Sequence, residues 1–128
     1  MDIDEIVYKV RGAIFEVHKT LGHGLLEEAY QKCLERELVL RGLEIKPQFK
    51  QHLVYKGVEV KDAYVIDILV EDCVVIELKS VEKLLPIHFK QLLNYLHLGK
   101  MKTGILVNFN TEFIEDGKDI HRLFNNNI

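Results

Sequence analysis

A mixed α/β fold is predicted by three features of the 128-residue chain. Apolar positions recur at helical spacing twice in the first forty residues. From about Glu44 to Lys79 the pattern changes to strands. A helix opened by Pro86 then leads into one more apolar strand. The resulting order, α-α-β-β-β-α-β, is that of an α/β or α+β domain with a mixed sheet.

The first helix is expected over Asp4 to Leu21, where Ile3, Ile6, Val7, Val10, Ile14, Val17 and Leu21 make one apolar stripe. Gly22-His23-Gly24 interrupts it. The second helix, Leu25 to Arg41, carries Leu26, Ala29, Tyr30, Cys33, Leu34 and Leu38 and stops at Gly42. Glu28, Gln31 and Lys32 fall on the opposite face. Glu44 to Tyr55 is strand-like, and Pro47 places its start near a sheet edge. Lys56-Gly57 turns the chain into a second strand, Val58 to Val70. After Glu71-Asp72, Cys73 to Lys79 is apolar on both faces and therefore central. Pro86 suits the first turn of a third helix ending by Gly99. Thr103 to Phe109 is the last clear strand. The polar tail from Asn110, with its Asn125–Asn127 run, holds at most a short element around Phe113 to Leu123.

Composition narrows the class. The chain is 48% hydrophobic and 29% charged with two prolines, which excludes a disordered or collagen-like protein. Every apolar run is interrupted by charge before it reaches membrane-spanning length. The acidic start, Met1 to Glu5, has no apolar stretch behind it and resembles neither a secretory signal nor a transit peptide. Cys33 and Cys73 make no disulfide framework or metal-ligand pair, so a cytoplasmic location is expected. The net charge of -3 argues against a general nucleic-acid coat protein. Its distribution is uneven, however. Lys83 to Lys102 holds four lysines, two histidines and no acid.

The informative residues are charges inside apolar strands. Asp67 lies in Tyr64-Val65-Ile66-Asp67-Ile68-Leu69-Val70, and Glu77 in Val74-Val75-Ile76-Glu77-Leu78. A buried carboxylate needs a cation, a metal or a shifted pKa. Lys79 follows Glu77 by two residues and shares its strand face. A buried ion pair would explain any one of these charges. Two acids and a lysine on adjacent strands favour a metal site. That reading sets a geometric condition. A two-residue turn would place Asp67 opposite Ile76, whereas a three-residue loop, Glu71 to Cys73, brings Asp67 opposite Glu77.

Asp67, nine residues, then Glu77-Leu78-Lys79 resembles the core of the PD-(D/E)XK nuclease superfamily. Ile66 stands where the superfamily name has proline, a position that is not a ligand. Gly24-Leu25-Leu26-Glu27-Glu28-Ala29-Tyr30 resembles the signature of its GxxExxY family. Gln91-Leu92-Leu93-Asn94-Tyr95 is similar to the QxxxY helix of the RecB-like and lambda-exonuclease-like branches, with Gln91 and Tyr95 on one helix face. The resemblance implies a restriction-endonuclease-like mixed sheet flanked by helices, in one domain over residues 1–128. It also implies a metal-dependent nuclease hydrolysing phosphodiester bonds in DNA or RNA. Glu27 matches the glutamate that completes the acidic cluster in the RecB-like branch.

Under that resemblance, Asp67 and Glu77 would hold Mg²⁺ or Mn²⁺, with Glu27 directly or through water and the Leu78 carbonyl alongside. Lys79 would orient the nucleophile or stabilise developing charge, Gln91 would position Lys79 or the water, and Tyr95 would touch a phosphate or a base. Lys83, Lys90, Lys100 and Lys102 are candidates for phosphate contacts with the nucleic-acid partner. The six histidines show no metalloprotease pairing, and no glycine-rich phosphate loop is present. Two rival readings stand beside the enzyme. One is a nuclease-fold module that binds nucleic acid or a protein partner without cutting, which a chain this short makes a serious alternative. The other is a metal-free domain in which Asp67, Glu77 and Lys79 form a buried charge network. The sequence leaves a homo-oligomer open.

Overall fold

The computed structural model describes residues 1–126. Asn127 and Ile128, the ends of the asparagine run and of the expected domain, lie outside the described residues. The elements are α1 (Ile3–Leu21), α2 (Glu27–Leu40), β1 (Ile45–Tyr55), β2 (Val58–Val70), β3 (Val74–Lys79), α3 (Pro86–Gly99), β4 (Thr103–Asn108) and β5 (Ile120–Phe124). The strands form one mixed sheet in the order β1-β2-β3-β4-β5. Among the described strands only β3 and β4 run parallel to each other, joined by α3 as the crossover.

The expected order is therefore found, with one addition. β5 pairs antiparallel with β4 from Val107↔Ile120 to Thr103↔Phe124. The sequence pattern predicts no strand there, only a short element in the polar tail. β3 is central, as its two-sided apolar character required, and β1 with its Pro47 is an edge.

Each helix is started and stopped by local chemistry. Asp2 accepts the Glu5 N–H at 2.8 Å and caps α1. Gly22 ends it at φ 74, ψ -163, a conformation open essentially to glycine alone. Helices α1 and α2 cover one sheet face, where Val10, Ile14, Tyr30, Leu34 and Leu38 pack on Ile68, Ile76, Leu78, Ile105 and Val107. Helix α3 covers the other face through Leu92 and Leu96, against Ile66, Leu69, Val75 and Leu106. Leu26 and Cys33 are exposed, contrary to the stripe read for α2. The helix instead buries Gln31, which the sequence placed on the solvent face.

Candidate functional site

The β2–β3 connection decides whether the two strand carboxylates meet. Glu71 and Asp72 both adopt left-handed φ, at 52° and 54°. Cys73 N–H returns to the Val70 carbonyl at 3.0 Å. Val70 pairs with Val74, Leu69 with Val75 and Ile68 with Ile76. The connection is thus the three-residue loop Glu71 to Cys73, and this register carries Asp67 opposite Glu77.

Ladder pairing between β2 and β3 stops at Ile68↔Ile76. Beyond it, side chains take over the backbone bonds. Glu77 Oε1 accepts the Asp67 N–H at 3.1 Å, and Asp67 Oδ2 accepts the Leu78 N–H at 2.9 Å. The Asp67 carbonyl accepts from Gln31 Nε2 at 2.9 Å. Both peptide groups of Asp67 are therefore satisfied by side chains from other elements. On the far side, Gln48 of β1 falls opposite Asp67, between the pairs Pro47↔Ile68 and Phe49↔Ile66, and has φ 49. The sheet opens locally at Asp67, and the two carboxylates stand in the opening. Each spends an oxygen on the opposing strand's N–H, and a side-chain hydrogen bond joins the two carboxyl groups to each other.

Electrostatics follow from this crowding. Burial, and then the Asp67 charge, push Glu77 up to about 9, so it holds a proton at neutral pH. Glu27, in the first turn of α2, is also raised, by burial and then by Asp67, with Lys79 pulling the other way. Among the described residues no three His, Cys, Asp or Glu side chains converge closely enough to hold an ion. Glu27 thus shares the field of the pair without reaching ligand distance together with both carboxylates. Glu27, Glu28, Gln31, Lys32, Gln48 and Asp67 line a cleft of about 410 Å³.

Lys79 ends β3 on the α3 side. Among the described residues it forms no ion pair, so the buried Glu77–Lys79 or Asp67–Lys79 bridge expected from a purely structural network is not what holds these charges. The chain leaving Lys79 is clamped. Asn108 accepts from Val81 N–H at 3.0 Å and donates to the Val81 carbonyl at 2.9 Å. Ser80 Oγ donates to the Leu25 carbonyl at 2.6 Å.

The Gly24–Tyr30 segment acquires a mechanical explanation. Tyr30 is fully buried and stacks on Phe109, with centroids 4.6 Å apart. Its hydroxyl donates to the Gly22 carbonyl at 2.7 Å and accepts from Leu25 N–H at 3.3 Å. Tyr30 therefore pins the α1–α2 loop one helical turn below Glu27. On α3, a side-chain hydrogen bond joins Gln91 to Tyr95, whose hydroxyl is raised by burial and then by Glu77 and Asp67. Tyr64 stacks on Tyr95 at 4.5 Å and is pushed up to about 12 by burial and then by that ring.

The four lysines divide. Lys83 precedes α3 and Lys90 lies in its first half, near the Lys79 end of the sheet. Lys100 follows α3 at its other end, about 15 Å farther along the helix. Lys102 adjoins Thr103, the end of β4 remote from Asn108 and Lys79, and shares a surface depression with Asp2 and Asp4. The structure does not gather them into one patch. Sequence reasoning missed Gln31, Gln48, Tyr64 and Asn108. Only Asn108, a polar residue closing an apolar strand, carried a signal.

Family comparison agrees with the geometry. The model for the PD-(D/E)XK nuclease superfamily matches residues 4–123. This chain belongs to the PD-(D/E)XK nuclease superfamily. Its mixed five-stranded sheet between helices is the restriction-endonuclease-like arrangement. The crystal structure of SSO0001 is similar, at 20% identity and a TM-score of 0.47 over 97% of this chain and 78% of that chain. No curated protein matches. No described helix is long and apolar enough to cross a membrane.

Proposed function

We propose that this superfamily member is a metal-dependent phosphodiesterase acting on DNA or RNA, of the GxxExxY type and allied to the RecB-like branch. The observation that carries the reading is the pair of carboxylates in the opened sheet, each tied to the opposing strand's N–H and joined to the other by a side-chain hydrogen bond whose place an ion would take. Hard carboxylate oxygens suit Mg²⁺ or Mn²⁺, and Mg²⁺ ordinarily takes one or two carboxylates and completes its shell with water and phosphate oxygens. Asp67 and Glu77 would hold the ion, the Leu78 carbonyl would lie beside it, and Glu27 would act through water.

When bound, the ion supplies Lewis-acid polarisation of the phosphoryl group and a more acidic water. The protein's own residues do the rest. The Asp67–Glu77 pair holds a proton at neutral pH that a bound ion would displace. Lys79, unpaired and anchored by Asn108 and Ser80 just after it, faces the charge that develops on the phosphoryl oxygens. Glu27 is held at the cleft by Tyr30 and orders water there. Gln91 fixes the Tyr95 hydroxyl, and Tyr95 presents that group to the nucleic acid.

The test is calorimetric titration of Mn²⁺ into wild type and Asp67→Asn, paired with cleavage assays on single- and double-stranded DNA and RNA. Binding by wild type, its loss in the variant and Mn²⁺-dependent cleavage support the reading. Ion binding without cleavage of any substrate would leave a binding module in its place. Absence of ion binding would remove the metal site altogether.

A further inference from the structure

His88 stands at the third position of α3, immediately after Leu85-Pro86-Ile87. The Leu85 N–H donates to His88 Nδ1 at 3.0 Å. A backbone N–H can only donate, so Nδ1 is the unprotonated nitrogen. The neutral ring must then carry its proton on Nε2. Capping therefore fixes the tautomer and leaves one N–H donor on the side of the ring turned away from the backbone.

The surroundings say where that donor works. His88, Gln91 and Tyr95 are spaced i, i+3, i+7 and form one stripe along α3. Helix α3 is the crossover from β3 to the parallel β4 and so runs antiparallel to both, which puts His88 at the end nearer Lys79 and Tyr95 two turns farther along. Tyr95 feels the charges of Glu77 and Asp67. His88, two turns earlier, feels that of Lys79. Burial, and then Lys79, hold the imidazole below its usual range, which keeps it neutral and its tautomer single. An ordinary capping side chain at this position would be Glu or Gln. Glu would set a negative charge beside Lys79 and any bound phosphate, whereas histidine caps and still offers a donor.

We propose that His88 is a further catalytic residue, a neutral imidazole whose Nε2–H donates a hydrogen bond to a phosphate oxygen of the nucleic acid beside Lys79. It rests on the nuclease reading of the same site. No proton is transferred by His88, because Nδ1 is committed to Leu85 and Nε2–H serves only as a donor.

The test compares wild type, His88→Ala and His88→Gln, each assayed well below its melting temperature with Mn²⁺. Alanine removes both the cap and the donor. Glutamine keeps a cap through its carbonyl and a donor through its amide. Loss of one donor to a reacting oxyanion lowers kcat/KM by roughly 10²-fold, the expectation for alanine, and glutamine should recover at least tenfold of it. A residue that merely caps predicts a lower melting temperature for alanine with cleavage intact, and that result would overturn the proposal. Nitrogen-15 NMR of the histidine ring supplies the second readout. A non-hydrolysable phosphorothioate oligonucleotide should move the Nε2–H signal and spare Nδ1. A proton found on Nδ1, or an unmoved Nε2–H in a wild type that binds and cuts, also refutes it while the nuclease reading stands. A wild type that neither binds nor cuts nucleic acid removes both.

Discussion

Glu77→Gln should convert a pH-sensitive apoprotein into one far less sensitive. Glu77 is nearly fully buried, touches Asp67 and is raised from 4.5 to about 9. The folded protein therefore holds a proton that the unfolded chain releases above about pH 4.5. Stability from this group is complete below that pH and is lost progressively as pH rises toward 9. One proton of difference corresponds to about 1.4 kcal/mol per pH unit. Between pH 5.5 and 7.5 the wild type should lose roughly 2.7 kcal/mol that the variant keeps. For a chain of this length that is roughly 10 °C in melting temperature. The glutamine amide can donate to Asp67 much as the protonated carboxyl does, so the variant should fold. The measurement is urea unfolding of both proteins at several pH values with EDTA present. Glu27, raised, lowers stability as pH rises, and His88, lowered, raises stability up to its unfolded value. Both groups are common to the two proteins, so the difference isolates Glu77. Equal pH slopes would refute the account of a protonated carboxyl pair.

Three further outcomes follow from the same geometry. Lys79→Ala should bind Mn²⁺ at least as tightly as wild type by calorimetry, since a repelling charge is gone, while cleavage falls by orders of magnitude; a melt collapsing by roughly 3–5 kcal/mol and unrescued by Mn²⁺ would instead mark a structural lysine. Replacing Lys83 and Lys90 by alanine should lower the salt slope of oligonucleotide binding by roughly one unit for each phosphate no longer neutralised, and more than replacing Lys100 and Lys102, which lie at the other end of α3. Gln31→Met should cost roughly 1–3 kcal/mol in chemical denaturation, because the Asp67 carbonyl loses its donor, and should weaken Mn²⁺ binding although Gln31 touches no ion.

The framework was legible because it rests on periodicity. Helix α3 and strand β2 were bounded correctly to the residue, and the other boundaries within two. β5 was not legible. Ile120-His121-Arg122-Leu123-Phe124 is five residues long, and its two charged or titratable members sit half-buried beside Thr103 and Phe89. Such a strand has neither alternation nor an apolar run to mark it. In α2, Leu26 and Cys33 drew the apolar stripe toward solvent and pushed Gln31 off the buried face. The true stripe, Tyr30-Leu34-Leu38, leaves Gln31 against the sheet. A helix beside a polar site buries a polar residue for that site's sake, and binary patterning reads it as surface.

The opened sheet was beyond sequence reasoning for a different reason. Nothing in the identity of Gln48 announces its positive φ, and nothing in Asp67 announces that its peptide leaves the ladder. Yet that departure is what holds the two carboxylates together. In a regular hairpin, opposed acids would stand out from one face, free to swing apart and relieve their repulsion. Here each is tied by a hydrogen bond to the other strand's backbone. Swinging either away would leave a buried N–H without a partner, at roughly 1–3 kcal/mol. Repulsion is met by binding a proton instead, and a divalent cation competes for the same place. Ion affinity should therefore rise with pH across the range in which the apoprotein loses stability, with close to one proton released per ion at neutral pH. Titrating Mn²⁺ in buffers of different ionisation enthalpy measures that number directly. A value near zero would mean that the ion and the proton occupy different places, and that Asp67 and Glu77 do not share a ligand.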